Sequence, residues 1–438
     1  MTSSRMGRIA LAVAVIAGTA GAGGAAERTL AFTGARVIPI AGEEIERGVV
    51  IVEGGRIAAV GAEGAVAVPP GAEVVDLAGK VLLPGMVDTH SHLGRGSGGD
   101  ASKPLHPDVR ILDALDPRAE NFWKARAGGI TTVNVMPGSG YLMSGQTVYL
   151  KLRVAGSDVD DYLLCTDRER AICGGLKMAN GTNSHRPPPF PGTRGKSAAL
   201  VRELYVKAVE YRDKLRKPRE QDAEAPARDL GLETLVEVLD GRRIVHHHTH
   251  RADDILTVLR LAREFGFRPV LHHVSEAWKV ADEIAAAGAP CSVIVIDSPG
   301  GKHEAVGLSL ETAAILEKAG VDVAFHTDDP ITDSRFFLRS AALAVRSGMS
   351  RAKALEALTL AGARMLGLAD RVGSIEPGKD ADLVVLSGDP LAAATRVEQT
   401  WIEGTKVYDL ATDGRYRTGG EDVYPSADHG DDHEEEGR

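Results

Sequence analysis

Short apolar runs punctuated by glycine and proline occupy both ends of the chain. They are rich in valine and isoleucine, which is typical of β-strands bounded by turns. Neither set of runs is long enough to bury a core alone, and pairing the two sets would cover the exposed strand edges of each. The pattern therefore predicts a small composite β-sandwich formed by both chain ends, over residues 27–84 and 371–410. The runs span residues 30–40, 48–60, 72–85, 373–390 and 397–409.

Between these ends, over residues 85–370, short apolar runs alternate with longer amphipathic stretches. Residues 130–136 have the pattern of a strand and residues 197–215 that of a helix. Such strand–helix–strand repetition is typical of a parallel sheet in an α/β protein. The segment is close in length to the roughly 250 residues of a (β/α)8 barrel, so a TIM-like barrel is predicted. An open doubly wound sheet is the alternative, but no GxGxxG motif follows the first strand.

Two stretches of this middle segment are predicted to be loops beside a site. Residues 136–153 are rich in glycine but lack the Lys-Ser/Thr end of a phosphate-binding loop. Residues 185–196 are rich in proline and are predicted to form a lid or rim loop. The arginines of this second loop, Arg186 and Arg194, are candidates for binding a substrate carboxylate.

The N-terminal residues have the pattern of a secretory signal peptide. Arg5 and Arg8 precede an uncharged stretch rich in alanine and glycine, and Gly24 and Ala26 are suitably placed for cleavage before Glu27. We therefore expect residues 1–26 to be removed and the protein to be exported, as a periplasmic or secreted protein. An uncleaved membrane anchor is the alternative, although the strongly apolar part is short for a span.

Charge and cysteine content narrow the class of protein. The net charge of −10 argues against nucleic acid as a partner. Residues 411–438 are rich in acidic side chains and are predicted to form a disordered tail. The three cysteines include no CxxC pair, so a thiolate zinc site is not expected. Whether Cys165 and Cys173 pair is left open by their spacing.

Histidine and aspartate follow several of the predicted barrel strands. The carboxyl ends of barrel strands converge, so these side chains are expected to meet. Because side chains alternate along a strand, His90 and His92 should share a face, whereas His272 and His273 should point to opposite faces. Imidazole and carboxylate are ligands for Zn²⁺, and also for Mn²⁺, Fe²⁺ and Ni²⁺. Surface or core histidines are the alternative. The residues concerned are His90, His92, His246, His248, His250, His272, His273, His326, Asp328 and Asp329.

Several motifs resemble those of the amidohydrolase superfamily, in particular its imidazolonepropionase-like branch. LPGMVDTHSHLG at 83–94 looks like the first-strand motif, and VGSIEPGKDADLVVLSGDP at 372–390 resembles the C-terminal motif. HTHRADDI, LHHVSEAWKVAD and FHTDDP resemble the ends of the fifth, sixth and eighth strands. The resemblance covers residues 33–407. It implies a metal-dependent hydrolase barrel with a β-domain built from both chain ends.

The resemblance also implies a metal site and a catalytic residue. Asp328 matches the eighth-strand aspartate that binds metal and shuttles protons, so it is the predicted catalytic residue. The implied cofactor is a divalent metal, with Zn²⁺ as the expected ion. The implied metal ligands are His90, His92, Lys177, His248, His273 and Asp328.

Three further assignments follow from the same resemblance. Lys177 matches a fourth-strand lysine that relatives carboxylate to bridge two metal ions, whereas an ordinary structural lysine would leave a site for one ion. His250 and Arg251 match positions near the substrate, and Arg251 stands where some relatives carry a catalytic glutamate. His247 should face the helices and His246 should lie deeper in the barrel, so neither receives a role.

Together these features predict an exported metal-dependent amidohydrolase that uses an activated water. The partner is a small, amino-acid-derived substrate with an amide C–N bond, such as a cyclic amide, an N-acyl amino acid or a dipeptide. The alternative is a non-catalytic or metal-binding barrel protein that has lost turnover. No stable membrane span is expected after removal of the signal peptide, and the sequence leaves homo-oligomerisation open.

Overall fold

The computed structural model describes residues 28–96, 98–154, 158–167, 169–170, 172–217, 226–295 and 303–413. The predicted signal peptide, and all of the predicted acidic tail beyond residue 413, lie outside the described residues. Within them, no helix combines the length and the apolar character that crossing a membrane requires.

The described residues contain 17 β-strands and nine α-helices, numbered in chain order. The strands are β1 (Thr29–Val37), β2 (Ile45–Glu53), β3 (Arg56–Ala62), β4 (Glu73–Asp76), β5 (Val81–Pro84), β6 (Met86–Ser91), β7 (Ile130–Val135), β8 (Met143–Gln146), β9 (Val148–Lys151), β10 (Leu176–Ala179), β11 (Val245–Thr249), β12 (Pro269–His273), β13 (Cys291–Val293), β14 (Val323–Phe325), β15 (Leu383–Leu386), β16 (Val397–Ile402) and β17 (Thr405–Asp409). The helices are α1 (Asn121–Ala127), α2 (Arg194–Arg216), α3 (Leu230–Leu239), α4 (Ala252–Phe265), α5 (Ala281–Ala287), α6 (Thr312–Lys318), α7 (Leu338–Arg346), α8 (Arg351–Ala357) and α9 (Leu360–Leu366).

Strands from both ends of the chain share one sheet of eight strands. Its order is β17-β16-β15-β5-β1-β2-β3, and β4 pairs with β1. The C-terminal strand β15 runs antiparallel to β5, with Val384 opposite Leu83. Phe32 and Trp401, which come from opposite ends of the chain, pack edge to face in its core with ring centroids 5.0 Å apart. The two ends therefore form one sheet, while its folding into a sandwich stays a prediction.

The middle strands form two further sheets in a TIM-barrel type of α/β fold. The larger has the order β14-β13-β12-β11-β10-β8, and β10 to β14 run parallel. The smaller has the order β6-β7-β9, with β6 and β7 parallel. The two sheets approach each other where the backbone N–H of Asp328, beyond β14, donates to the carbonyl of His90 on β6 at 2.9 Å.

The glycine-rich stretch over residues 136–153 is not simply a loop, as the sequence had indicated. It contains β8, which pairs antiparallel with β10, and β9, which pairs antiparallel with β7. These short strands satisfy backbone groups along the edges of the two middle sheets. The sequence hides these strands because glycine has a low strand propensity. In the tertiary structure, pairing with the edges of the two sheets outweighs that propensity.

Helix α4 shows how the sequence places the ends of the middle strands. Its buried apolar residues, Ile255, Val258 and Leu261, recur at helical spacing and form one packing face. Two aspartates lie in its first turn, where they complement the helix dipole. The helix ends at Gly266, whose φ of 76° is left-handed. Helix α4 therefore starts directly after β11 and holds the histidine-rich end of that strand in place.

A disulfide and a buried ion cluster stabilise the middle region and its boundary with the terminal sheet. Cys165 and Cys173, whose pairing the sequence left open, form a disulfide. The fully buried ammonium of Lys151 on β9 contacts Asp380 and lies 3.2 Å from Asp382 Oδ2, just before β15. This ion cluster joins the terminal sheet to the strands of the middle region.

Candidate metal centre

The ends of β6, β11, β12 and β14 gather histidines into one cluster. His90 lies at the end of β6, His248 near the end of β11, His273 ends β12, and His326 follows β14. All four side chains are almost fully buried. The ring of His273 lies 4.8 Å from that of His90 and 4.4 Å from that of His248. Parallel strands present their carboxyl ends at one edge, which explains the convergence.

His90, His92 and Asp328 form one group of candidate ligands. The Nε2 atoms of His90 and His92 lie 3.2 and 3.0 Å from Asp328 Oδ1. Nδ1 of His92 donates to the carbonyl of Met136 at 2.8 Å, which directs its Nε2 toward the aspartate. Burial alone would raise the pKa of Asp328, but the hydrogen bond with His92 and nearby positive charge hold that pKa well below its usual value. The carboxyl is therefore ionised and suited to a cation.

His90, His273 and His326 form a second group that shares His90 with the first. His326 Nε2 lies 3.1 Å from His273 Nδ1, and its Nδ1 lies 2.7 Å from Ser292 Oγ. Burial lowers the pKa of His326 to about 3, so its ring is neutral. The sequence placed His326 at a strand end without giving it a role. The sequence feature that could have identified His326 as part of the site is its position two residues before Asp328, on the side of the chain that faces the cluster.

Lys177 lies beneath the cluster rather than at the surface. Its side chain is fully buried on β10, and its Nζ is 3.1 Å from His90 Nε2 and 3.1 Å from Met136 Sδ. Burial and then the charge of Lys177 lower the pKa of His90 well below its usual value. The imidazole is therefore neutral, which is the form that binds metal. The structure thus brings Lys177 to the predicted ligands.

The backbone at two of the predicted ligands is left-handed. φ is 68° at His273 and 49° at Asp328. Residues other than glycine rarely adopt this region, and where they do the surroundings hold them there, often at functional sites. The expectation that His272 and His273 point to opposite faces is wrong, because both rings lie against His90, with centroids 5.0 and 4.8 Å away. Alternation requires extended backbone, and the left-handed turn at His273 ends it.

The histidine-rich strand β11 divides its side chains between layers. The ring of His248 contacts that of His250 at 4.6 Å, and His250 Nδ1 lies 2.8 Å from Ser275 Oγ. His246 lies deeper, between the hydroxyl of Tyr149 at 2.9 Å and His272 Nε2 at 3.0 Å. Burial lowers the pKa of His246 to about 3. The face that carries His248 and His250 therefore belongs to the cluster.

His247 occupies the opposite face of β11. It lines a small cavity between the strands and helices α2 and α4, together with Val201 and Leu261. Burial lowers its pKa to about 4, so this imidazole is also neutral. Its position matches the expectation that His247 faces the helices.

Arg251 and the two arginines of the predicted rim loop, Arg186 and Arg194, differ in their surroundings. Arg251 directly precedes α4, is partly exposed, and pairs with Asp253 at 3.0 Å rather than contacting the cluster. Arg194 lies between Asp254 at 2.9 Å and Glu304 at 2.5 Å. The guanidinium of Arg186 packs over the ring of Tyr141, 4.7 Å from its centroid.

The donors of the cluster fit a divalent metal ion. In each of the two groups, one ligand atom per residue lies within 4.8 Å of the others. Nδ1 of His90 and Nε2 of His273 are buried without a hydrogen-bond partner among the residues that the structure describes. A buried polar atom without a partner is costly, and a metal ion would satisfy such a nitrogen. Imidazole and carboxylate donors together are typical of zinc sites.

The fold and the donors define a class: hydrolases of TIM-barrel type with a metal centre at the strand ends. The chain superposes on the crystal structure of an amidohydrolase from Thermotoga maritima with a TM-score of 0.81 and 36% sequence identity. The match covers 87% of this chain and 100% of that one. A family model described as "Amidohydrolase family" matches residues 222–408.

Two curated relatives extend this comparison. Amidohydrolase tasK of Hapsidospora irregularis is 28% identical over 374 residues, which cover 78% of this chain but 38% of the relative. An imidazolonepropionase of Mesorhizobium japonicum is 26% identical over 380 residues, covering 78% of this chain and 86% of the relative. The chain therefore belongs to the amidohydrolase family, and it is a hydrolase that acts on carbon–nitrogen bonds.

Proposed function

We propose that this protein is an exported, metal-dependent amidohydrolase that cleaves the amide C–N bond of a small, amino-acid-derived substrate. The observation that carries the proposal is the convergence of His90, His92 and Asp328, with Asp328 Oδ1 within 3.2 Å of both imidazoles. The same strand ends also carry His273 and His326, and they lie where barrel enzymes place their chemistry.

The predicted ligands divide into a core set and a bridging residue. A bound divalent ion would polarise the scissile carbonyl and lower the pKa of the attacking water. Zn²⁺ is the ion we propose, because the donors are imidazoles and a carboxylate. The residues that would hold the core ion are His90, His92, His248, His273 and Asp328, with His326 beside them.

Lys177 would hold a second ion if its amine is carboxylated. A buried ammonium 3.1 Å from His90 Nε2 would repel a cation bound beside it. A carbamate reverses the charge and offers two oxygen donors at the same place. Carboxylation of Lys177 would therefore make the position compatible with two metal ions.

Asp328 moves the proton in this proposal. Its carboxylate is kept ionised by its contacts with His92 and nearby positive charge. One of its oxygens accepts the proton of the attacking water and then returns it to the leaving nitrogen. His250, whose Nδ1 is fixed by Ser275, is placed to contact the substrate beside His248. For Arg251, which pairs with Asp253, substrate binding stays a prediction from the family resemblance.

The rim loop suggests how a substrate carboxylate is bound. Arg194 already has two carboxylates, Asp254 and Glu304, which compensate its charge. Arg186 packs on Tyr141 and Phe190, at 4.7 and 5.3 Å from their ring centroids. Stacking on aromatic rings holds the planar guanidinium in place, and its geometry matches that of a carboxylate. Arg186 and Arg194 of this loop stay the candidates for binding the carboxylate of a cyclic amide, an N-acyl amino acid or a dipeptide.

The finer architecture and the location are part of the same proposal. We propose that the two middle sheets close into a (β/α)8 barrel where Asp328 bonds to β6, and that the terminal sheet folds as a sandwich. Export is supported by the Cys165–Cys173 disulfide, because disulfides persist in oxidising compartments.

The test is hydrolysis of a panel of N-acyl amino acids, dipeptides and cyclic amides by zinc-loaded protein. Asp328→Asn should keep its fold and lower kcat by about 10²–10⁴-fold, the usual range for general acid–base catalysis. Asp113→Asn, which changes an exposed aspartate paired with Arg110, is the matched control and should retain full activity. Bound zinc without turnover on the whole panel would favour the alternative, a metal-binding barrel that has lost catalysis.

A further inference from the structure

A second buried ion pair lies directly behind the predicted catalytic aspartate. Lys124 on α1 and Asp329 are 5% and 3% exposed, and Lys124 Nζ lies 2.8 Å from Asp329 Oδ1. No pattern in the sequence singles out Lys124, which lies 205 positions from its partner. A charged pair taken out of water is tolerated only when its geometry and hydrogen bonds are good.

The carboxylate of Asp329 organises the turn that carries Asp328. Its Oδ2 accepts a hydrogen bond from the backbone N–H of Ser334 at 2.9 Å. The backbone N–H of Asp329 donates to Thr327 Oγ1 at 3.0 Å. Asp328 lies between these two anchored residues, in the left-handed conformation that depends on its surroundings.

The other side of the turn is tied to the strand of the first histidine ligands. Thr327 donates its hydroxyl and its backbone N–H to the carboxyl of Asp88, at 2.5 and 3.1 Å. The same carboxyl accepts the backbone N–H of His90 at 3.2 Å. The turn is therefore held from two directions, by Asp88 on β6 and by Lys124 on α1.

We propose that Lys124 is a positioning residue for Asp328, acting through Asp329. The proposal rests on the proposed function insofar as Asp328 binds metal and moves a proton. Without the ammonium, the Asp329 carboxylate would be buried and uncompensated, so it would rotate toward water or draw solvent in. Because Asp328 is the adjacent residue in a left-handed turn, that movement would displace its carboxylate from His90 and His92. Outer residues of this kind typically change metal affinity or activity by about 10–100-fold.

The chain offers a matched control for losing a buried lysine. Lys151 is also fully buried and paired with aspartate, but its partners, Asp380 and Asp382, belong to the boundary with the terminal sheet. Lys124→Met and Lys151→Met therefore remove the same charge from the same kind of environment. Only the first of these changes touches the turn that carries Asp328.

The experiment compares zinc binding and kinetics of the two variants in the full chain. Zinc content is measured at a series of free Zn²⁺ concentrations set by a chelator, alongside thermal unfolding of the metal-free proteins. Lys124→Met should bind zinc about 10–100-fold more weakly than the wild type, and its kcat should fall while its KM changes little. Lys151→Met should have a lower melting temperature but bind zinc like the wild type. Lys124→Arg, which keeps the charge, should recover part of the zinc affinity.

Two results would overturn the proposal: wild-type zinc affinity in folded Lys124→Met, or an equal loss in Lys151→Met. If Lys124→Met does not fold, the double variant Lys124→Met/Asp329→Asn removes both charges and keeps an acceptor for Ser334. It should still bind zinc more weakly than the wild type, and unchanged affinity would again refute the role. Absence of amide hydrolysis by wild-type protein would count against the proposed function alone, because the zinc titration does not depend on turnover.

Discussion

At the scale of single residues, burial sets the protonation that a metal centre needs. Burial is the largest influence on His90 and His273 and lowers the pKa of both well below the usual value, with neighbouring positive charge acting in the same direction. Both imidazoles are therefore neutral at any physiological pH and can offer a nitrogen to metal. Asp328 is ionised beside them, so the cluster combines neutral nitrogen donors with one anionic oxygen donor.

Adjacent histidines of β11 provide a test of which face binds metal. His248→Ala should reduce zinc content and activity sharply, because its ring lies 4.4 Å from that of His273. His247→Ala should leave zinc content unchanged, because that side chain lines the cavity beside α2 and α4. The measurement is the zinc content per chain of each folded variant, determined by elemental analysis. Equal losses in both variants would show that the assigned face of β11 is wrong.

Carboxylation of Lys177 would determine how many metal ions the site holds. Two dications a few ångströms apart repel strongly, so a second ion needs an anionic bridge such as a carbamate. Fully loaded wild-type protein should bind two zinc ions per chain and Lys177→Ala at most one. Short carboxylic acids should restore part of the activity of that variant by replacing the carbamate.

The control for this change is Lys196→Ala, which alters an exposed lysine and should keep both ions. A single zinc ion in fully loaded wild-type protein would show that the site is mononuclear. Lys177 would then be an ordinary structural lysine.

At the scale of elements, the terminal sheet depends on strands that are distant in sequence. Strand β15 lies between β5 and β16, so it is an interior strand rather than an edge. Leu383 and Val385 contribute to one core cluster of this sheet, and Val384 and Leu386 to another. The segment before β15 also supplies Asp380 and Asp382 to the buried ammonium of Lys151. The last strands therefore stabilise both the sheet and the middle region.

Truncation tests this shared sheet. A chain that ends after Asp370 should be insoluble or unfolded, because it exposes β5 and leaves Lys151 buried without its aspartates. Breaking a buried pair costs about 3–5 kcal/mol, a large part of the 5–15 kcal/mol that stabilises a typical domain. A chain that ends after Asp413 should keep wild-type solubility and melting temperature. Recovery of a soluble, active protein from the shorter chain would refute the dependence.

At the scale of the whole molecule, the disulfide bears on the proposed export of the protein. Cys165 and Cys173 enclose a short loop, and Cys291 is a buried free thiol on β13. Disulfides are rare in the reducing cytosol, so this pairing and the N-terminal signal pattern are the two features on which the proposed export rests.

Protein recovered from the exported fraction tests this location. N-terminal sequencing should begin near Glu27, and denatured protein should show one reactive thiol per chain before reduction and three after it. A mature chain that still begins with Met1 would contradict cleavage. Three reactive thiols in unreduced exported protein would contradict the link between the disulfide and the compartment.

The sequence by itself determined the class of fold, the family and the positions where chemistry gathers. The period and the length of an apolar run are local properties of the sequence. They therefore predicted strands at both ends of the chain and alternating strands and helices between them. The HSH and HTDD motifs marked His90, His92 and Asp328, because histidine and aspartate stand directly after apolar runs. Alternation along β11 also separated His248 from His247.

The tertiary structure alone decided which distant groups meet and how the strand ends turn. The orientation of His273 and Asp328 depends on a left-handed φ, which apolar periodicity does not encode. His326 joins the cluster and Lys124 pairs with Asp329 only because separate elements are brought together. Strands β8 and β9 form within a glycine-rich stretch because sheet edges accept them. In each case the deciding contact is long-range, so its energy is absent from any local stretch of sequence.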